Sequence, residues 1–333
     1  MASVLIAALP ALVSAPACGI AAAAQAGSTT HPAQAPTPAP GSHPAQAPKG
    51  SSGAGGAGAV HGDPQIRSNV ALVIDAALGT PLYSKHKDQV APIASITKLM
   101  TAMVVLDAAL PPDEPVILDK ADVDHMKNTR SRLPVGAVIA RGDLLRVALM
   151  SSDNRAAAAL ARTYPGGTAA CVSAMNRKAI ALGMTRTSFA DPTGLSSLNV
   201  SNAEDLTRLV LAASAYAPIR EATTSFDHRL TLGDGRVLEF HNSNGLVRNP
   251  AWSIGLSKTG YINEAGRCLV MQAEIAAKQV VIVLLDSWGK YTRLGDANRI
   301  RHWLEGAAAR AGAGASAPAA AVEVPAVASS SGP

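Results

Sequence analysis

The chain has 333 residues, of which 16% are charged and 3% aromatic, and its net charge is +5. Its 3 cysteines are too few for a disulfide-stapled mini-protein. No apolar run beyond the N-terminus reaches about 18 residues, which excludes a multi-pass membrane protein, and no Lys/Arg block interleaved with aromatics points to nucleic acid.

In chain order, residues 2–24 (ASVLIAALPALVSAPACGIAAAA) are apolar and end in small residues, which predicts an export signal over 1–26 and a periplasmic location. The usual basic segment before it is missing, and Ala15-Pro16-Ala17 is a poor lipidation context for Cys18. Residues 27–66 are rich in Pro, Ala, Gln, Gly and Ser and predict a disordered linker. The G-x-G-x-x-G match at 53–58 has no strand before it and no helix after it, so it is not a nucleotide loop.

Residues 67–305 predict one domain. Segments 69–75 and 81–85 read as paired strands, and 95–109 as an apolar helix closed by Pro111-Pro112. Residues 143–182 hold three helical stretches, broken at 151–153 and at Pro165-Gly166-Gly167, with Gly183 as a C-terminal cap. Ser201-Asn202-Ala203-Glu204 reads as a capping box. Segments 226–232 and 236–241 flank a Gly233-Asp234-Gly235 turn. Strands follow at 252–258, 267–275 and 279–286, then a helix over 296–310, with 306–333 a disordered tail. Strands at both ends with helices between them predict the α/β (α+β) class. The sheet is mainly antiparallel, completed by both ends of the domain, flanked by helices and carrying a helical insertion.

Three short motifs occur in order: Ser95-Ile96-Thr97-Lys98, Ser152-Asp153-Asn154 and Lys258-Thr259-Gly260. A Ser-x-x-Lys pair alone is expected about once by chance, and Ser84-x-x-Lys87 is a second match, but in a strand or turn. A Lys-Thr-Gly triplet is expected only about 0.05 times. At the start of a helix, Ser95 and Lys98 fall on one face, one turn apart. A serine hydroxyl needs a base, and a lysine serves only when neutral, which burial or a second cation such as Lys258 promotes. A helix N-terminus adds backbone N–H groups suited to an oxyanion. Ser152 falls in a break between helices, and Lys258 is expected to close a strand, with Gly260 letting a ligand approach. The bland alternative is three unrelated polar sites: an N-cap serine, a turn and a strand-end lysine.

With its neighbouring runs, this set resembles the serine penicillin-recognising peptidases. Residues 94–101 (ASITKLMT), 148–158 (ALMSSDNRAAA), 191–196 (DPTGLS) and 258–268 (KTGYINEAGRC) resemble the low-molecular-mass penicillin-binding proteins, most closely their D-alanyl-D-alanine endopeptidase branch. The resemblance covers about 67–305 and implies a β-lactamase/transpeptidase-like fold. It implies that Ser95 is the acylated nucleophile, Lys98 its base and Ser152 a proton carrier to the leaving amine. Asn154 would hold the substrate's amide backbone, Lys258 and Thr259 would bind the carboxylate next to the scissile bond, and Gly260 would complete the substrate-binding set. Backbone N–H groups of Ser95 and Tyr261 would form the oxyanion hole. Implied partners are peptidoglycan stem peptides and cross-links, with β-lactams as covalent inhibitors and at most peripheral membrane association.

Other readings stay open at this level. A D-alanyl-D-alanine carboxypeptidase would use the same motifs, because the diaminopimelate centre of a cross-link keeps a free carboxylate. A class A β-lactamase requires a glutamate beyond the second motif, but between Arg155 and Val200 the only acid is Asp191, which suits the Asp-Pro-Thr-Gly turn. A non-catalytic peptidoglycan or β-lactam sensor would lack part of the catalytic set, and none is missing. No H-e-x-x-H motif and no Cys/His cluster occurs, so no metal or other cofactor is implied. His241 is expected to be a strand-end hydrogen-bonding residue; Cys171 and Cys268 could pair in an oxidising compartment, but their separate apolar contexts favour buried free thiols.

Overall fold

A computed structural model of the chain describes residues 62–315. The expected export signal, with Cys18, and the linker up to residue 61 lie outside these residues, as does the tail beyond 315.

The domain opens with strands β1 (Val70–Asp75), β2 (Pro81–Lys85) and the short β3 (Ala91–Pro92), followed by a 3-10 turn at Ala94–Ile96 and helix α1 (Thr97–Asp107). Next come β4 (Pro115–Ile117), β5 (Val138–Ala140), α2 (Arg141–Met150), α3 (Asn154–Arg162) and α4 (Gly167–Ala181). The short β6 (Val200–Ser201) and helix α5 (Ala203–Ala213) lead to α6 (Ala217–Thr224) and the hairpin β7 (Asp227–Thr231) and β8 (Val237–His241). Strands β9 (Ser253–Ile262), β10 (Gly266–Ile275) and β11 (Lys278–Ser287) and helix α7 (Thr292–Ala315) complete the order.

The main sheet has 5 strands in the order β2-β1-β11-β10-β9, all antiparallel. Both ends of the domain build it, as the sequence predicts, because β1 lies between β2 and β11. Val281, Val283 and Leu285 face the large core shared with α1–α6, and Val280, Ile282 and Leu284 face a second core with Ala297, Ile300 and Leu304 of α7. A strand covered on both faces needs apolar residues at every position, and β11 reads VVIVLL.

Four local expectations shift. Ordered structure begins before residue 67: Ile66 is buried in the second core, and Trp303 Nε1 donates to Gly62 O at 2.8 Å. Helix α7 starts at Thr292 and runs to Ala315, beyond both expected ends at 296 and 310. The cap of α5 is Asn202, whose side chain accepts from Asp205 N at 2.9 Å, so the Ser201–Glu204 box does not form. Ser201 lies in β6, and Glu204 pairs with Lys87. Lys258 does not close its strand, since β9 continues to Ile262.

Cys171 and Cys268 are buried free thiols, and burial pushes both up to about 11. His241 ends β8 and bonds to Asp227 Oδ1. Among the described residues no helix is long and apolar enough to cross a membrane.

Candidate active site

Ser95 sits on the 3-10 turn at Ala94–Ile96, one step before α1, rather than inside the α-helix itself. The turn is held from both sides. Gly194, at φ +81°, comes so close that a Cβ there would lie 2.0 Å from Ala94 O, and a Cβ on Gly260 would lie 3.1 Å from Ser95 N. Only glycine permits the approach at 194, whereas a Cβ at 260 would require its neighbours to give by a few tenths of an ångström.

Lys98, in the first turn of α1, is 1% exposed. Its Nζ contacts Ser95 Oγ at 2.8 Å, Asn154 Oδ1 at 2.6 Å and Thr193 O at 2.7 Å. The carbonyl and the amide oxygen only accept, so they fix two of its hydrogens. The third position faces the serine hydroxyl and becomes a lone pair when the amine is neutral. Burial lowers Lys98 to about 8, against the opposing charges of Asp191, Asp153 and Asp124. Burial alone accounts for that fall. The expected repulsion between cations acts on Lys258 instead, which burial and the charges of Lys98 and Arg293 hold well below the ordinary lysine range.

The second motif lies where α2 ends and α3 begins. Asp153 caps α3 by accepting from Ala156 N at 2.9 Å, and Ser152 sits in the break at φ +63°, a strained conformation for a residue with a Cβ. Arg155 donates to Leu133 O, and Ala156, Ala157, Ala159 and Ala161 are buried behind the motif.

The third motif is in mid-strand. Lys258 is 1% exposed, and its Nζ donates to Ser152 Oγ and to Thr259 O, both at 2.9 Å. Thr259 Oγ1 donates to Ser243 Oγ at 2.7 Å. Gly260 packs against the Ser95 turn, which brings β9 alongside that serine. Tyr261 follows it, half exposed at 51%. Ser95, Lys98, Ser152, Asn154, Lys258, Thr259 and Gly260 therefore meet in one cluster.

Two participants escaped the motif reading. Thr193 contributes only its carbonyl, to which no side-chain pattern points, though it lies in the quoted 191–196 run. Ser243 contributes a hydroxyl beside Thr259, and its backbone N donates to Met150 O at 2.9 Å. Asp191 shapes its turn as expected, accepting from Thr193 N at 3.1 Å, Gly194 N at 3.0 Å and Asn199 Nδ2 at 2.7 Å.

An uncharged amine against a serine hydroxyl can generate an oxygen nucleophile, and a second lysine beside a threonine can receive a carboxylate. The arrangement suits acyl transfer from a peptide that carries a carboxylate near its scissile bond.

A family profile described as D-alanyl-D-alanine carboxypeptidase matches residues 58–289. The D-alanyl-D-alanine endopeptidase of Pseudomonas aeruginosa is 51% identical over 248 residues, covering 72% of this chain and 78% of that protein. The D-alanyl-D-alanine endopeptidase of Escherichia coli is 49% identical over 243 residues, covering 73% and 78%. Among solved structures, the Streptomyces K15 DD-transpeptidase superposes with a TM-score of 0.68 at 29% identity, covering 73% of this chain and 98% of the other.

Proposed function

The chain belongs to the D-alanyl-D-alanine carboxypeptidase family of serine peptidases, and on that premise we propose that it is an endopeptidase that cleaves the D-alanyl cross-links of peptidoglycan. The observation that carries the chemistry is the buried Lys98 amine 2.8 Å from Ser95 Oγ. What favours an endopeptidase is the pattern of relatedness. The two endopeptidases above are 49–51% identical, while relatives named carboxypeptidases are 26–32% identical.

In this reading neutral Lys98 takes the proton of Ser95, and Ser95 Oγ attacks the D-alanyl carbonyl. Backbone N–H groups of Ser95 and Tyr261 stabilise the oxyanion, an assignment supported by the packing of Gly260 against the Ser95 turn. As the tetrahedral intermediate collapses, Ser152 passes a proton to the leaving amine. Asn154 holds the amide backbone of the acyl-donating peptide, and Lys258 and Thr259 hold the carboxylate beside the scissile bond. Water then resolves the acyl-enzyme. β-Lactams are expected to acylate Ser95, and the protein to act in the periplasm with at most peripheral membrane contact.

The test is incubation with cross-linked muropeptide dimers. Conversion to monomers supports the endopeptidase. Loss of terminal D-alanine alone supports the carboxypeptidase, and no change supports a sensor.

A further inference from the structure

A cleft of about 250 Å³ continues from Ser152 and Asn154 and is lined by Arg130, Arg132, Asp153 and His241. Both arginines belong to the loop between β4 and β5, which is fastened to the second motif. Asn154 Nδ2 donates to Thr129 Oγ1, and Ser131 Oγ to Asp153 Oδ2, each at 2.8 Å. The lining holds a single carboxylate, that of Asp153, and both of its oxygens are engaged, one by Ala156 N and one by Ser131. The arginines are less committed. Arg132 gives one N–H to Glu239 O, and Arg130 is exposed with no hydrogen bond or ion pair among the described residues. The cleft therefore offers an unpaired guanidinium beside the residue that holds the donor peptide's backbone.

We propose that Arg130, with Arg132 beside it, forms a carboxylate subsite for the acyl-donating stem peptide. The inference rests on the reading of Asn154 given above. Lys258 and Thr259 take the carboxylate beside the scissile bond, so a second cationic site further along the cleft matches a second acidic group on the donor. A guanidinium is suited to this, because its planar fork pairs with both oxygens of a carboxylate. The stem peptide carries two such groups, the free carboxylate of the diaminopimelate residue and that of the γ-linked glutamate. Recognition of either makes the site select for acidic stems over amidated ones.

The experiment is an NMR titration of full-length protein with three uncross-linked stem tetrapeptides: free acid, amidated only at diaminopimelate, and amidated only at glutamate. Wild-type protein is expected to bind the free acid about five- to tenfold more tightly than one of the amidated forms, which identifies the carboxylate. Arg130→Ala should reduce that preference to near unity, and Arg130→Glu should invert it, an outcome that misfolding does not produce. Equal binding of all three peptides by wild type, or an unchanged preference in Arg130→Glu, overturns the proposal. The titration reads binding alone, so failure of the reaction proposed above shows separately, as missing dimer cleavage and a missing Ser95 adduct.

Discussion

Lys258 Nζ donates to Ser152 Oγ at 2.9 Å, although the two residues stand 106 positions apart in the chain. This contact joins the central region of β9 to the break between α2 and α3, and Lys98 makes the parallel join between Ser95 and Asn154. Two buried amines so placed determine how the protein should respond to pH and mutation.

Acylation should follow the titration of Lys98. The base form is the neutral amine, so the rate constant for benzylpenicillin acylation should rise with pH and level off near Lys98's value of about 8. Lys98→Ala should lower that constant on the order of 10²- to 10⁴-fold, and Ser95→Ala should abolish the adduct on the peptide holding residue 95. Stopped-flow kinetics and mass spectrometry measure both. Wild-type acylation in Lys98→Ala would remove the lysine from the mechanism.

The same lysine should leave a signature in stability. Its folded-state value of about 8 lies below the ordinary 10.5, so between these limits the unfolded chain binds more protons. Stability from this group therefore rises with pH from about 8 to about 10.5, and the burden is fully present below 8. Lys98→Met removes the titration, so wild-type Tm should gain on the variant across that window. A difference in Tm that stays flat with pH contradicts the burial argument.

The two glycines against the Ser95 turn should separate stability from rate. Gly194→Ala places a Cβ 2.0 Å from Ala94 O at a φ of +81° and should destabilise the fold by about 3 kcal/mol or more, measured by urea unfolding. Gly260→Ala meets Ile93 O at 3.0 Å and Ser95 N at 3.1 Å, a contact that small shifts relieve. It should stay folded yet acylate about 10²-fold more slowly, because the displaced strand carries Tyr261 N–H, the proposed oxyanion donor. Equal losses of stability in the two variants would refute the distinction.

β-Lactam turnover should be slow. Asp191, the only acid between Arg155 and Val200, holds its own turn together and is not placed as a free base for water. A chromogenic cephalosporin should give a burst of about one equivalent and little afterwards. Sustained rapid hydrolysis would return the β-lactamase reading.

Much of this was legible before any coordinates. The strand expected over 279–286 is β11, and the breaks at 151–153 and 165–167 fall where α2, α3 and α4 separate. The α5 cap was misread by one position, since Ser201 and Asn202 are both good capping residues and only the pairing of β6 with β3 decides between them. β9 runs past the end expected at Lys258, and the lack of a side chain at Gly260, expected to admit a ligand, serves the contact with the Ser95 turn. Thr193 O, Ser243 and Arg130 carry no motif.

By itself the sequence determined which chemical groups exist and which are near neighbours along a helix: the hydroxyl of Ser95 one turn from the amine of Lys98, and the elements that carry them. Local spacing and apolar periodicity are properties of the chain, so they survive without a fold. The tertiary structure alone decided that Lys98 is desolvated to about 8 and that Lys258 reaches Ser152. Desolvation and contacts across a hundred residues arise only when sheet and helices pack, and no short-range pattern encodes them.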